Sequence, residues 1–258
     1  MMTKNKIKLF ALLLVSFSLF SCGNETQETK VVESKPADEK VIVPNTILVE
    51  KVLTDEEQNA LTPDMVIQSL KEGNARFMRN DLTARDHSAQ VRESVKAQFP
   101  KAIVLSCVDS RVPVEDVFDR GIGDVFVARV AGNFVNEDIL GSMEFACKVS
   151  GSKLVLVMGH EHCGAVKSAV DDVKLGNITP MLSKIRPAVE MVEYEGDRTS
   201  KNQEFVQMVN ISNVQNTLER IRKESPILKE MEDNGEIKIV GAVYDMDNGK
   251  VTMLDNMK

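Results

Sequence analysis

Three continuous apolar runs rich in branched side chains constrain this chain more than any other feature: Ala102-Ile103-Val104-Leu105-Ser106-Cys107, Val125-Phe126-Val127-Ala128-Arg129-Val130 and Leu154-Val155-Leu156-Val157-Met158-Gly159. A strand with one wet face alternates apolar and polar residues, whereas a run that is apolar throughout needs cover on both faces. Helix-length segments separate the runs, so the spacing predicts parallel strands joined by helical crossovers. A last pair, Ile237 to Tyr244 and Lys250 to Leu254, brackets Asp247-Asn248-Gly249, residues suited to a hairpin turn. The expected fold class is α/β: a small, mostly parallel sheet with an antiparallel edge, flanked by helices. Thr62-Pro63 reads as a cap and first turn for a helix over 63–79. Helical patterning also covers 136–150, 164–175, 178–195 and 202–223, and Pro226 opens one more short helix.

Composition narrows the function. Hydrophobic residues at 43% and charged residues at 28% are ordinary for a globular chain and exclude a fibrous or multi-span membrane protein. A net charge of −7 provides no basic face, so no nucleic-acid partner is expected. The four cysteines, Cys22, Cys107, Cys147 and Cys163, are too few and too scattered for a disulfide framework in a chain that can build its own core.

The amino-terminal segment reads as an address. Lys4, Lys6 and Lys8 precede the mostly apolar run Leu9 to Phe20. At about 1.5 Å per residue that run spans roughly 18 Å, short of the ~30 Å hydrocarbon core. It is the apolar region of a signal peptide, not a membrane-spanning helix. Leu19-Phe20-Ser21-Cys22 resembles a bacterial lipobox, in which Cys22 is lipidated and becomes the first mature residue. The expected organisation is a signal peptide over 1–21, a solvated tether over 22–61 and a folded domain over 62–258. The expected location is outside the cytoplasm, periplasmic and lipid-anchored to a bacterial membrane.

Cys107 and His160 each sit where an expected strand runs out, and Cys163 follows on the turn into the next helix. Ligand sites of open α/β sheets lie beyond the carboxyl ends of strands, so these three side chains could meet. Two thiolates and an imidazole make a zinc set, and three protein ligands plus water is the catalytic arrangement. Cys147 reads as a small buried hydrophobe. His162 reads as either a proton acceptor or a turn residue, Glu161 as a solvated turn residue, and His87 as part of a surface helix cap.

Cys107-Val108-Asp109-Ser110-Arg111, followed some fifty residues later by His160-Glu161-His162-Cys163-Gly164, resembles the β-class carbonic anhydrases. The likeness runs from about Thr62 to Leu254 and includes Gly73-Asn74-Ala75-Arg76-Phe77, Gly123-Asp124 and Arg129-Val130-Ala131-Gly132-Asn133. The resemblance implies one zinc ion per chain on Cys107, His160 and Cys163, with Asp109 and Arg111 as a catalytic pair beside it. Gln98, Phe126 and Gly164 are implied as substrate contacts, with CO2 and bicarbonate as substrate and product. Phe145 stands where family members have a tyrosine, which removes one hydroxyl. The family also implies a homodimer or tetramer in which Gln98 and Phe126 reach the zinc of a neighbouring subunit and the helix at 63–79 crosses to the partner. The expected site is open to water, with Asp109 paired to Arg111 rather than to metal. The alternatives are a carbonyl sulfide or carbon disulfide hydrolase on the same site, and a non-catalytic zinc-binding lipoprotein. Intact Asp109, Arg111 and Gln98 favour CO2 hydration.

Overall fold

The computed structural model describes residues 51–254; the expected signal peptide, Cys22 and most of the expected tether lie outside the described residues. In chain order the elements are α1 (Asp55–Asn59), α2 (Pro63–Met78), α3 (His87–Ser94), β1 (Ala102–Ser106), α4 (Val114–Val117), β2 (Val125–Arg129) and α5 (Glu137–Glu144), which runs into a π-helical turn (Phe145–Val149). Then come β3 (Leu154–His160), α6 (Gly164–Val170), α7 (Ile178–Leu182), α8 (Arg186–Met191), α9 (Gln203–Glu224), α10 (Pro226–Asp233), β4 (Lys238–Tyr244) and β5 (Val251–Met253). The sheet order is β2-β1-β3-β4-β5. The first four are parallel, and β5 is antiparallel to β4 with Tyr244 opposite Val251.

Both faces of β1 and β3 are covered, as continuous apolar strands require, whereas β2, expected to be buried, is half-exposed along its length because it is an edge strand. Ile103, Leu105, Val155, Val157 and Ile239 pack against Val214, Leu218 and Ile221 of α9 and Leu228 and Met231 of α10. The alternate residues Ala102, Val104, Leu154, Leu156 and Met158 pack against Val66 and Leu70 of α2 and Val114 and Val117 of α4. At about 25 cal/mol per Å² of buried apolar area, these two layers are the main stabilising term.

Several expected boundaries move. The tether expected to reach Leu61 ends sooner: Thr54 and Glu57 cap α1 reciprocally, and buried Gln58 donates Nε2 to the carbonyls of Pro100 (2.7 Å) and Ser150 (2.8 Å). A solvated tether has no buried glutamine, so residues 51–61 belong to the folded body. The helix expected over 136–150 widens at its end, where the Ser150 N–H donates to the Phe145 carbonyl five residues back. The 178–195 segment is two short helices. Pro187 lies in the first turn of α8, where its missing N–H costs least. α6 stops at Val170 because Asp172 takes a left-handed φ of 52°.

The helix expected over 63–79 forms as α2 and packs Val66 and Leu70 on its own sheet. A Cβ at Gly73 of α2 would sit 1.9 Å from the Phe118 carbonyl oxygen, so only glycine allows this approach. Next to it, the Asn74 amide donates to the carbonyls of Val117 (3.1 Å) and Gly249 (2.8 Å) and accepts from the Val251 N–H (2.8 Å). One side chain therefore ties α2 to both α4 and the hairpin. Buried Asp119 fixes the connection after α2. Burial alone would raise its pKa, but hydrogen bonds from Thr83, Arg76 and Arg85 outweigh this and lower it to about 2.

Candidate metal centre and active site

β1 and β3 are neighbours and end side by side, so Cys107, just past β1, and His160, the last residue of β3, come to the same edge. Cys163 stands at the cap position of α6, one turn beyond His160. The three ligand atoms lie within 4.8 Å of one another, and all three residues are buried. The two sulfurs are 3.9 Å apart. That is far beyond the ~2.05 Å of a disulfide, and it matches the ~3.8 Å between two thiolates each ~2.3 Å from a tetrahedral zinc.

His160 supports the same reading. Its Nδ1 is 2.8 Å from the Glu161 carbonyl, which fixes the proton on Nδ1. The buried Nε2 then presents a lone pair, and among the described residues it has no hydrogen-bond partner. An imidazole oriented by a backbone carbonyl, with its other nitrogen bare beside two thiols, is the chemistry of a metal ligand. The two thiols are shifted in opposite directions, Cys107 down and Cys163 up. The contact with Cys163, then His160 and the Gly132 N–H, favour the Cys107 thiolate, whereas the same contact and burial hold Cys163 protonated. A divalent ion would displace both protons.

Asp109 stands beside this cluster. Its Oδ1 accepts from Arg111 Nε (2.9 Å) and the Arg111 backbone N–H (3.0 Å), and its Oδ2 accepts from Nη2 (2.8 Å). The bidentate guanidinium holds the carboxyl well below the usual carboxylate range. Oδ2 also lies 3.6 Å from His160 Nε2, at the mouth of the ligand set. Arg129, the last residue of β2, donates to the carbonyls of Cys107 (3.0 Å) and Val112 (2.7 Å), clamping both ends of the loop that carries the pair.

The remaining candidate residues separate into two groups when the chain is seen folded. Gly164 is exposed beside Cys163, with open space where a Cβ would stand. Gln98 is exposed on the segment before β1, at the far end of that strand from Cys107. Phe126 pairs with Ile103, four residues before Cys107 and so about 13 Å along the strand. The cluster thus does not gather Gln98 or Phe126 from its own chain. Phe126 instead packs edge to face with Phe145 (centroids 6.4 Å apart) in a cleft of about 610 Å³ on the open edge of the sheet. Cys147 is buried and its thiol is pushed up to about 12 by burial, as befits a core residue. His162 is an exposed turn residue at φ 53° whose Nδ1 meets Gln203. Glu161 is half-buried rather than solvated, and its carboxylate accepts from the Met246 N–H. His87 opens α3 after the capping Asp86.

The carbonic anhydrase family model matches residues 102–251. Carbonic anhydrase 2 of Mycobacterium tuberculosis is 34% identical over 196 residues, which cover 74% of this chain and 92% of that protein. The β-carbonic anhydrase CafA of Aspergillus fumigatus superposes with a TM-score of 0.58 at 24% identity, over 76% of this chain and 91% of that one. The chain belongs to the β-class carbonic anhydrases. The β-carbonic anhydrase of Coccomyxa, solved with acetazolamide, shares the fold at a TM-score of 0.58 and 22% identity, covering 73% of this chain and 84% of that one. Beyond the family motif, this β-class anhydrase holds three supports for its ligands that the sequence left without a role. They are the Glu161 carbonyl on His160, the Gly132 N–H on Cys107 Sγ (3.3 Å) and the Arg129 clamp. Only Arg129 and Gly132 carried a signal in the sequence, as members of the Arg129–Asn133 motif.

Proposed function

We propose that this chain catalyses the reversible hydration of CO2 to bicarbonate and a proton, with one zinc ion held by Cys107, His160 and Cys163. The observation that carries this reading is the bare, buried Nε2 of His160 set beside two sulfurs and the Asp109–Arg111 pair. When bound, zinc supplies the Lewis acidity that makes water a nucleophile near neutral pH. Asp109 accepts a hydrogen bond from that nucleophile and turns its lone pair toward the CO2 carbon. Arg111 keeps the carboxylate ionised and aimed. Exposed Gly164 leaves room for substrate beside the ligands. Stopped-flow CO2 hydration by the zinc-loaded chain should give a rate well above background at one zinc per chain, and little turnover of carbonyl sulfide. Background-level hydration, or preferred hydrolysis of carbonyl sulfide, overturns the assignment.

The working unit in this reading is a homodimer, or a tetramer built from dimers. Its support is the open edge of the sheet, where Phe126 is half-buried and Phe145 is 51% exposed. An uncovered apolar edge invites a partner strand or subunit. Gln98 and Phe126, too far from their own Cys107, would then serve the partner's zinc. Active enzyme that sediments as a monomer contradicts this.

The chain acts outside the cytoplasm in this reading, anchored to a bacterial membrane through lipidated Cys22. The lysines, apolar run and lipobox-like Leu19–Cys22 support it. Among the described residues no helix is long and apolar enough to cross a membrane. Metabolic labelling with a lipid precursor should mark the natural chain and leave Cys22→Ala unlabelled; label on both removes Cys22 as the attachment point.

A further inference from the structure

α9 buries polar side chains where packing alone calls for apolar ones. Asn210, Asn213 and Thr217 are 1%, 0% and 1% exposed, on a helix that also buries Val209, Val214 and Leu218. An amide withdrawn from water destabilises the fold unless its hydrogen bonds are recovered. Asn213 recovers only part of them: its Nδ2 donates to the Gly132 carbonyl at 2.8 Å, and its Oδ1 has no partner among the described residues. Whatever keeps an amide there lies in the bond to Gly132.

Gly132 faces the metal centre with its other polar group, the N–H, which donates to Cys107 Sγ at 3.3 Å. The backbone there is unusual. Gly132 (φ 83°) and Asn133 (φ 40°) are successive left-handed residues, and a Cβ at Gly132 would meet Ile185 Cδ1 at 2.3 Å. The turn's own bond, Asn133 N–H to the Val130 carbonyl, is supplemented from α9 at consecutive carbonyls: Asn213 on Gly132, and Thr217 Oγ1 on Asn133 at 3.4 Å. Rotation of this turn would carry the Gly132 N–H off the sulfur.

We propose that Asn213 is a positioning residue of the metal centre, holding the Gly132–Asn133 turn so that the Gly132 N–H donates to the Cys107 sulfur. The bond fixes the rotamer of Cys107 and disperses thiolate charge, so the ligand is organised before the ion arrives. Outer-shell partners of this kind are worth 10–100-fold in metal affinity, on the order of magnitude seen for other sites. The inference rests on the zinc reading above and adds a residue from an element 50 positions beyond the last ligand.

The test uses the full chain loaded with ¹¹³Cd. A proton–cadmium correlation spectrum of the wild type should show the Gly132 amide proton coupled to the metal through the Cys107 sulfur. Asn213→Leu, which removes the donor, and Asn213→Asp, which keeps the volume but sets a carboxylate against the carbonyl, should both lose that coupling. Their zinc dissociation constants, from chelator competition, should rise by about 10- to 100-fold. Metal-induced gain in melting temperature should shrink accordingly. No Gly132 coupling in the wild type overturns the inference without need of a variant. So does zinc affinity within twofold of wild type in both variants, with metal-free and loaded proteins losing stability equally, the result of a merely structural role. A wild-type chain that takes up neither cadmium nor zinc defeats the zinc reading itself and is thereby distinguished.

Discussion

Cys163→Ser and His160→Ala should emerge without zinc, hydrate CO2 at the background rate, and melt at a temperature that no longer depends on added metal. Each removes one of three ligands, and the two that remain cannot close a site whose donor atoms already lie within 4.8 Å of one another. The stability term follows from linkage. An ion present at about a thousandfold over its dissociation constant stabilises the folded state by about 4 kcal/mol. In a folded body of this size, about 1 kcal/mol moves the melting temperature by roughly 2–4 °C, so the wild type should gain roughly 10 °C on loading. Neither variant should gain anything. Cys147→Ser is the control: its sulfur is a core atom remote from the set, so it should keep its zinc. Elemental analysis with paired melting curves checks all three, and full zinc in Cys163→Ser would sink the assignment.

The parts of the fold that follow from local pattern are readable in the sequence. The apolar runs form β1, β2 and β3, of which β1 and β3 are buried throughout and β2, at the sheet edge, is half-exposed at all five positions; the Asp247–Gly249 turn fixes the antiparallel edge. What is not readable depends on partners distant in sequence. Residues 55–59 look like a charged tether because five residues carry little periodicity, and only Pro100 and Ser150 reveal why Gln58 is buried. The widened turn at Phe145 and the break between α7 and α8 answer to packing rather than propensity. The site divides the same way. Strand-end placement lets Cys107, His160 and Cys163 meet, and the Asp109–Arg111 pair comes from the family resemblance of the Cys107–Arg111 motif. Of the ligands' supports, Arg129 and Gly132 stand in a motif that the sequence shows without its role, and the Glu161 carbonyl is a backbone group that every residue type possesses and no motif can display.

Asp109→Asn should keep full zinc yet lose about 10²–10⁴ in kcat/KM, the usual range for one acid–base group. The carboxylate accepts three hydrogen bonds from Arg111 while Oδ2 remains 3.6 Å from His160 Nε2, so one group both anchors on the guanidinium and faces the ligand set, where the proposed nucleophile would form. An amide cannot do both. It has a single accepting oxygen, and its NH2 would meet either the Arg111 donors or the nucleophile as a donor instead of an acceptor. Arg111→Ala separates charge from aim. Without its partner, the Asp109 pKa should return toward the ordinary value near 3.9, still far below neutrality. The carboxylate therefore stays ionised at pH 6–8 in both proteins, and any rate lost must come from a carboxylate that is no longer held in place. Arg111 is 53% exposed, so solvent screens the charge term, and the loss should be smaller than that of Asp109→Asn. The ratio of wild-type to Arg111→Ala activity should stay constant from pH 6 to 8. Arg111→Lys should recover little, because an ammonium cannot reproduce the two-pronged contact. A ratio that climbs as pH falls across that interval would show that Arg111 sets the protonation of Asp109 rather than its orientation.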